Sequence, residues 1–362
     1  MFSPHACSAL KAQSARLNRP KTDGAKRFAI AVCTRIGYRL SLATLRAVAI
    51  PPRKRKRRAM SLTAFDHSDA HRIRLAVQKS GRLSDDTFDL LRQCGLKLSQ
   101  SRLHLYARIR ELPIDVLLVR DDDIPALVSS GAADVGIVGG NVFEEERLAA
   151  GGTLEAKSLV PLGYSRCRLC IAVPKDKGYQ GADHLNGARI ATSYPALTRD
   201  WLTKKGVKDA RPVNMSGAHE IAPRLGVAEA ICDIVSTGAT LEANGLMVAE
   251  TIYNSEALLI GREDLSPEKA MTLEALTGRI HGVIRSRHAK YVMMNAPKSA
   301  VDSIKDVLPG ADSPTVIPLA GAEEKVALHV VCQEDVLWEH LAELKSLGAN
   351  AILVLDIDKM LS

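Results

Sequence analysis

The chain has 362 residues, of which 46% are hydrophobic, which is enough for two or three ordinary globular domains. Its formal net charge of +8 comes from residues 1–59, where 15 Lys and Arg stand against a single acid. The remaining sequence is acidic overall, which argues against a nucleic-acid-binding body. No apolar run approaches the ~20 residues of a membrane-spanning helix, so we expect no membrane partner.

The cysteines are odd in number and scattered, which predicts reduced thiols and a cytoplasmic protein. They are Cys7, Cys33, Cys94, Cys167, Cys170, Cys232 and Cys332. Cys167 and Cys170 have the spacing of a metal or redox pair, but they fall in a predicted strand. Residues three apart on a strand face opposite sides, which favours two unrelated thiols over a shared site.

Residues 1–59 end in a run of Lys and Arg at 53–58. This segment has three interpretations: an organellar transit peptide, a nuclear signal or polyanion-binding arm, or upstream sequence translated from a misplaced start. We favour the third, with Met60 as the true first residue, because ordinary folded sequence begins directly after it. The basic extension is therefore excluded from the predicted fold.

The first folded segment is a predicted strand at 73–77. A basic turn containing glycine follows at 78–83, and residues 84–86 are expected to cap a helix that runs through Cys94 and stops at Gly95. A strand that leads into such a turn is a candidate anion site. A solvated turn explains the same residues.

The next elements are a buried strand at 114–119 and a helix that ends near Gly131. Three acids at 121–123 are expected in the first turn of that helix, where its dipole favours them; metal binding is the alternative. A strand at 133–139 ends in glycines, which let a ligand or another backbone approach closely. The acids at 144–146 are predicted to lie on a solvated helix face.

Residues 159–245 repeat the alternation of strand and helix. Strands are predicted at 170–173, 189–192, 212–214 and 230–234, and helices at 196–205 and 217–226. The two units with short connections predict two lobes, each with a mostly parallel sheet. A ligand is then expected in the cleft between the lobes, at the carboxyl ends of the strands.

The strand at 230–234 delivers Asp233 to a small, hydroxyl-rich turn, and a short helix starts at Thr240. Free backbone N–H groups and the helix dipole make such a turn an anion site. Asp233 suits a ribose hydroxyl or a metal-bound water. An ordinary capped turn is the alternative. The glycine pattern is neither that of a P-loop nor that of a dinucleotide-binding turn.

The C-terminal part begins with a strand-like stretch at 247–260 and a helix at 267–287. Residues 290–362 then read β-α-β-β-α-β, which is typical of a ferredoxin-like module. Its strands are predicted at 291–294, 315–319, 325–332 and 351–355, and its helices at 298–308 and 334–347. The sequence contains no motif for a covalent nucleophile.

Residues 220–241 read E-I-A-P-R-L-G-V-A-E-A-I-C-D-I-V-S-T-G-A-T-L. This signature, with the segments at 78–84, 119–125 and 190–195, resembles the ATP phosphoribosyltransferases in their long form with a regulatory domain, which catalyse the first step of histidine biosynthesis. The resemblance covers residues 71–362. It implies an α/β fold with a two-lobed, periplasmic-binding-protein-like body and a ferredoxin-like regulatory domain.

The implied domains are lobe I at 71–160 and 250–287, lobe II at 161–249 and the regulatory domain at 290–362. The resemblance also implies hexamers with an active dimer, ATP and phosphoribosyl pyrophosphate as substrates, and inhibition by histidine. Mg²⁺ would be held mainly by substrate phosphates, and no protein ligand to it is assigned. N1 of ATP would attack the anomeric carbon as pyrophosphate leaves.

The resemblance distributes the site residues over both lobes. The expected contacts to phosphoribosyl pyrophosphate are Glu220, Asp233, Ser236, Thr237, Gly238, Ala239 and Thr240. The expected catalytic residues, which stabilise the leaving pyrophosphate, are Lys79 and Arg82. The ATP and pyrophosphate side is expected at Gly81, Gly139, Asn141, Ser193 and Tyr194. Histidine is expected near Asn295, Ser313 and Thr315.

Two other functions fit the pattern. A two-lobed α/β body also suits a solute-binding protein that closes on a small anion, but the C-terminal module has no evident task there. A nucleotide-salvage phosphoribosyltransferase would have paired acids before its phosphate loop. Here Cys232 precedes Asp233, so only one acid is present.

Overall fold

The computed structural model describes residues 70–98, 105–236, 238–308 and 313–361. The expectations for residues 1–59 and for Thr237 lie outside these ranges. The described chain forms three β-sheets with helices packed on them. Within these ranges, no helix is both long and apolar enough to cross a membrane.

The first sheet has six strands in the order β2-β3-β1-β4-β11-β5. They are β1 (Ile73–Gln78), β2 (Tyr106–Ile109), β3 (Ile114–Val119), β4 (Val135–Gly139), β5 (Lys157–Pro161) and β11 (Ala257–Gly261). Strands β3 and β4 flank β1 in parallel, whereas β2, β5 and β11 pair antiparallel to their neighbours. The edge strand β2 was not predicted.

Helices cover both faces of this sheet. They are α1 (Arg82–Gln93), α2 (Ile124–Ser129), α3 (Gly140–Ala149) and α6 (Pro267–Ser286). Leu90 of α1 and Leu276 of α6 join one apolar core with Leu75 of β1. Val128 of α2 and Val142 of α3 join the core on the other face. This burial leaves the carboxyl ends of β1, β3 and β4 at one rim of the sheet.

The second sheet has the order β10-β6-β9-β7-β8. Its strands are β6 (Cys167–Pro174), β7 (Arg189–Thr192), β8 (Arg211–Asn214), β9 (Ala230–Val235) and β10 (Leu246–Ser255), with helices α4 (Pro195–Lys204) and α5 (Ala239–Ala243). Strands β8 and β9 flank β7 in parallel. Strand β6 pairs antiparallel with β9 on one side and with β10 on the other. The apolar side chains of Leu197 and Trp201 anchor α4 to the sheet.

Both sheets are mixed, so the prediction of mostly parallel sheets was wrong. The chain crosses between the sheets twice, from β5 to β6 and from β10 to β11. A strand that arrives from the other sheet does not follow a β-α-β crossover, which is the connection that makes neighbours parallel. Strands β6 and β11 consequently enter antiparallel to β9 and β4, whereas β10 follows β9 through α5 and is antiparallel only to its neighbour β6.

Three predicted helix details were also wrong. Helix α1 begins at Arg82 after Gly81, whose φ of 105° is non-helical, so residues 84–86 lie inside the first turn rather than at the cap. Helix α2 begins after the acids at 121–123, which form the preceding turn. Residues 217–226 contain only a 3₁₀ turn, because Ala218 and Gly226 are left-handed and Pro223 lacks an N–H.

The C-terminal sheet has the order β13-β14-β12-β15, with all pairs antiparallel. Its elements in chain order are β12 (Ala289–Pro297), α7 (Val301–Val307), β13 (Thr315–Leu319), β14 (Ala322–Gln333), α8 (Glu334–Ser346) and β15 (Asn350–Asp356). Ile304 of α7 and Leu337 of α8 pack against Val292 and Leu328 on one face of the sheet. The predicted ferredoxin-like order is confirmed.

Candidate active site

Three neighbouring strands of the second sheet end at the same level. Thr192 of β7 pairs with Asn214 of β8 and with Cys232 of β9. The residues that follow in each chain segment therefore come together at the rim, with Ser193, Met215 and Asp233 side by side. Because the carboxyl ends of parallel strands carry the ligands of α/β proteins, this rim is the first part of the candidate site.

A buried histidine that the sequence did not single out lies within this rim. His219 is 3% exposed, and its Nδ1 lies 2.9 Å from Oδ2 of Asp233. Its Nε2 lies 3.0 Å from the carbonyl oxygen of Met215 and 3.1 Å from Oγ of Ser193. The hydroxyl of Ser193 donates to the same Met215 carbonyl at 3.0 Å. Asp233 and Ser193, which were predicted for different substrates, thus belong to one hydrogen-bonded group.

The described part of the turn after β9 leads into the start of helix α5. Gly238 is left-handed, with φ 83°, and is the N-cap of α5. The N–H of Glu242 donates to its carbonyl, so the N–H groups of Ala239 and Thr240 precede the first bond within the helix. Ser236 and Thr240 are exposed beside them. Backbone N–H groups at a helix start attract phosphate or carboxylate groups.

Basic side chains follow the first strand of the other sheet. Lys79 and Arg82 are exposed, and the N–H of Lys79 donates to Val119 O at the end of β3. Burial raises the pKa of the Cys167 thiol, and the charge of Arg82 acts in the opposite direction. Arg82 is thus close enough to the start of β6 for its charge to act on a thiol of the second sheet. Of the two predicted cationic residues, Arg82 lies near the boundary between the lobes, and Lys79 follows β1 of the first lobe.

Tyr194 lies among acids from both lobes. Burial raises the pKa of its phenol, and the nearby carboxylates of Asp233, Asp121 and Asp122 raise it further. Burial and the neighbouring Asp121 also raise the pKa of Asp122. The acidic turn after β3 and the rim of the second sheet are consequently close enough for their charges to interact, at the boundary where the cleft was predicted.

Asn141 connects the two lobes. Its backbone N–H donates to Ser255 Oγ at 3.0 Å. The Ser255 hydroxyl in turn donates to the side-chain Oδ1 of Asn141 at 2.8 Å. Its Nδ2 donates to the Tyr194 hydroxyl at 2.8 Å. With only 5% of its surface exposed, Asn141 holds Tyr194 from the first lobe. This position favours a role in setting the cleft over direct contact with a substrate.

Three further predicted residues have packing or local positions in the structure. A Cβ at Gly139 would lie 2.7 Å from Oδ1 of Asn141, so the bonded conformation of Asn141 leaves no room for a side chain there. Glu220 is half-buried in the 3₁₀ turn directly after His219. The left-handed Gly81 allows the sharp turn from β1 into α1.

Glu145 corrects the prediction that the acids at 144–146 form a solvated helix face. It is 9% exposed, and its carboxylate accepts the N–H groups of Ala196 at 2.7 Å and Leu197 at 2.8 Å. Burial raises the pKa of this carboxyl, although both hydrogen bonds favour the ionised form. A side chain of α3 in the first lobe therefore caps α4 in the second.

We expect Glu145→Ala to lower the free energy of unfolding by about 2–4 kcal/mol, because each buried N–H left without a partner costs about 1–3 kcal/mol. Glu146→Ala is the matched control, since Glu146 is the next residue of the same helix and is only half-buried. Urea denaturation monitored by circular dichroism measures both variants. Equal losses for the two would contradict the capping role.

The residues predicted for histidine lie on the C-terminal sheet. Asn295 of β12 is on the face opposite the helices, because the alternating neighbours Met294 and Ala296 are buried against α7 and α8. Thr315 of β13 is exposed and pairs with His329. Ser313 is exposed just before β13. Asn295 and Thr315 are two strands apart on this sheet.

The described ranges contain no group of three or more His, Cys, Asp or Glu side chains arranged to hold a metal ion. The acids at 121–123, for which metal binding was an alternative, are part of the same searched ranges. The cysteines in these ranges, including Cys167 and Cys170, are free thiols.

Two family models match the sequence. That of ATP phosphoribosyltransferase matches residues 120–282, and that of the C-terminal domain of the same proteins matches residues 286–359. Among solved structures, the ATP phosphoribosyl transferase (HisG:HisZ) complex from Thermotoga maritima is 24% identical, with a TM-score of 0.50. The similarity covers 59% of this chain and 98% of that chain, which shows a shared fold.

Solute-binding proteins are also similar to the two-lobed body. The alkanesulfonate-binding protein from Xanthomonas axonopodis pv. citri, bound to MOPS, is 15% identical with a TM-score of 0.38, over 58% of this chain and 72% of that chain. The periplasmic aliphatic sulphonate-binding protein from Escherichia coli is 14% identical with a TM-score of 0.39, over 58% and 67% of the two chains.

Proposed function

Because the chain belongs to the ATP phosphoribosyltransferase family, in its long form with a C-terminal regulatory domain, we propose that it transfers phosphoribosyl from phosphoribosyl pyrophosphate to N1 of ATP. The family consists of enzymes that catalyse the first step of histidine biosynthesis. The observation that carries the assignment of the site is the arrangement of the two rims. Asp233 and the turn at 236–240 lie on one, and Lys79 and Arg82 on the other.

Phosphoribosyl pyrophosphate would bind with its 5-phosphate in the turn at 236–240. The N–H groups of Ala239 and Thr240, together with the hydroxyls of Ser236 and Thr240, offer donors to the phosphate oxygens. Hydrogen bonds to a charged group contribute roughly 1.5–3 kcal/mol each, so a few of them suffice. Asp233 would accept from the ribose hydroxyls, and Glu220 lies close along the chain on the same lobe.

The reaction breaks the bond between the anomeric carbon and pyrophosphate as N1 of adenine forms its bond to that carbon. Negative charge then grows on the leaving pyrophosphate. Lys79 and Arg82 would bind that charge from the first lobe, which would stabilise the transition state electrostatically. Neither step needs a covalent nucleophile from the protein. Holding both substrates in one cleft would lower the activation free energy further, because it fixes their relative position and orientation.

Mg²⁺ is assigned to the substrates rather than to the protein. It keeps several waters and commonly binds through substrate phosphates, which both ATP and phosphoribosyl pyrophosphate carry. Since the described residues form no metal-binding cluster, we name no protein ligand for it. The acids at 121–123, which form the turn before α2, remain outside this assignment.

Regulation and assembly are proposed from the family. The ferredoxin-like domain would bind histidine as feedback inhibitor, with Asn295, Ser313 and Thr315 as candidate contacts, and the enzyme would form hexamers built from active dimers. Free thiols in the described ranges suit the reducing cytoplasm. The domain limits given above from the resemblance are part of the same proposal.

The proposal is tested by pyrophosphate release from phosphoribosyl pyrophosphate with and without ATP, and with and without histidine. We expect release that requires ATP and is suppressed by histidine. Release with free adenine or guanine in place of ATP would indicate a salvage enzyme instead. Binding of an anion by folded protein without any release would indicate a solute-binding protein.

A further inference from the structure

The histidine buried beside the strand rim offers a role that the reaction scheme above does not use. We propose that His219 is a positioning residue for the phosphoribosyl substrate, which fixes the Asp233 carboxylate and offsets its negative charge. This inference rests on the proposed function, because it concerns the residue assigned to the ribose hydroxyls. It assigns His219 no contact with the reacting atoms.

The hydrogen bonds of the imidazole determine where its protons lie. The Met215 carbonyl oxygen can only accept, so the Nε2 atom 3.0 Å away carries a hydrogen. The Ser193 hydroxyl donates to that same carbonyl, which leaves its oxygen free to accept from Nε2 at 3.1 Å. The Nε2–H group is therefore fixed by two acceptors on the second lobe.

The other ring nitrogen faces an acceptor as well. Nδ1 lies 2.9 Å from Oδ2 of Asp233, a distance at which two bare lone pairs repel each other. A proton must lie between them, which makes the pair an imidazolium and a carboxylate or their neutral equivalent. Oδ1 of Asp233 accepts the N–H of Ile234 at 2.7 Å. Both oxygens of the carboxylate are thus held by the protein.

The charge of the pair matters because the substrate is highly anionic. In either protonation arrangement His219 and Asp233 together carry no net charge, whereas a lone Asp233 carboxylate would repel the 5-phosphate in the following turn. His219 is the basic residue within ion-pair distance of Asp233 among the described residues. The carboxylates of Asp121 and Asp122 also act on this space and add negative charge.

Steady-state kinetics of the full-length enzyme test the proposal through two variants of one residue. His219→Ala removes both the hydrogen bond to Asp233 and the compensation of its negative charge, and we expect KM for phosphoribosyl pyrophosphate to rise about 10- to 30-fold with KM for ATP unchanged. His219→Asn keeps a donor near the position of Nδ1 and is expected to recover part of that loss. His184→Asn, an exposed histidine of the same lobe, is the control and should match the wild type.

A second substitution separates positioning from general damage. In an Asp233→Asn background, His219→Ala should raise KM much less, since the carboxylate that it orients and neutralises is gone. Equal effects of His219→Ala in both backgrounds, or an equal rise in KM for both substrates, would overturn the proposal. Wild-type protein without pyrophosphate release would instead defeat the proposed function. If His219→Ala does not fold, the same comparison is made with His219→Asn.

Discussion

The double variant Lys79→Ala, Arg82→Ala should lose about 10²- to 10⁴-fold in kcat/KM, because each charged hydrogen bond is worth about 1.5–3 kcal/mol. Both side chains are exposed, Lys79 directly after β1 and Arg82 at the start of α1. Their charges are therefore available to the leaving pyrophosphate, and kcat should fall with kcat/KM. Single variants should each show a smaller loss.

A matched control separates this effect from a change in net charge. Arg110→Ala with Lys177→Ala removes the same two charges from exposed positions away from the strand rims. Arg110 lies between β2 and β3, and Lys177 follows β6. We expect the control to stay within about threefold of the wild type, as for surface substitutions away from a site. If the two double variants lose activity equally, the assignment of Lys79 and Arg82 is wrong.

Gly238→Val should raise KM for phosphoribosyl pyrophosphate about 30- to 100-fold and leave KM for ATP nearly unchanged. Gly238 has φ 83°, a left-handed conformation that costs an ordinary residue of order 1–3 kcal/mol. A valine relieves this strain by rotating the turn, which moves the N–H groups of Ala239 and Thr240 away from the phosphate. The measurement is a substrate titration for each substrate at saturation of the other.

Gly206→Val controls for the strain itself. Gly206 lies in the same lobe after α4, has φ 71°, and would bring its Cβ within 4 Å of no other group. Its substitution should cost as much backbone strain as that of Gly238. Gly206 lies at the end of the lobe opposite the strand rim. We expect lower thermal stability for both variants but an altered KM only for Gly238→Val. A normal KM in a folded Gly238→Val enzyme would contradict the phosphate-turn assignment.

The sequence predicted the parts of the fold that depend on local pattern. Apolar runs such as 114–119 and 230–234 are strands in the structure, and the order of the C-terminal elements was confirmed. The small residues after Asp233 predicted a turn with free N–H groups, and Gly238 supplies the left-handed residue that it requires. These features follow from residues close together in the chain.

The features that the sequence did not predict depend on distant partners. Glu145 stands in a run of three glutamates, which resembles a solvated face, and the N–H groups that it caps come about 50 residues later. His219 precedes Asp233 by a 3₁₀ turn and a loop, and only the fold brings the two side chains together. The only signal for it was its place next to Glu220 in the signature.

The most direct test of the proposed transfer is the identity of its product. ATP labelled with ¹⁵N at N1 is incubated with phosphoribosyl pyrophosphate and the full-length enzyme, and the product is analysed by mass spectrometry and NMR. We predict an adduct of the two substrates, less pyrophosphate, in which the labelled nitrogen is bonded to the anomeric carbon. An adduct through another nitrogen, or hydrolysis of phosphoribosyl pyrophosphate without any adduct, would contradict the account.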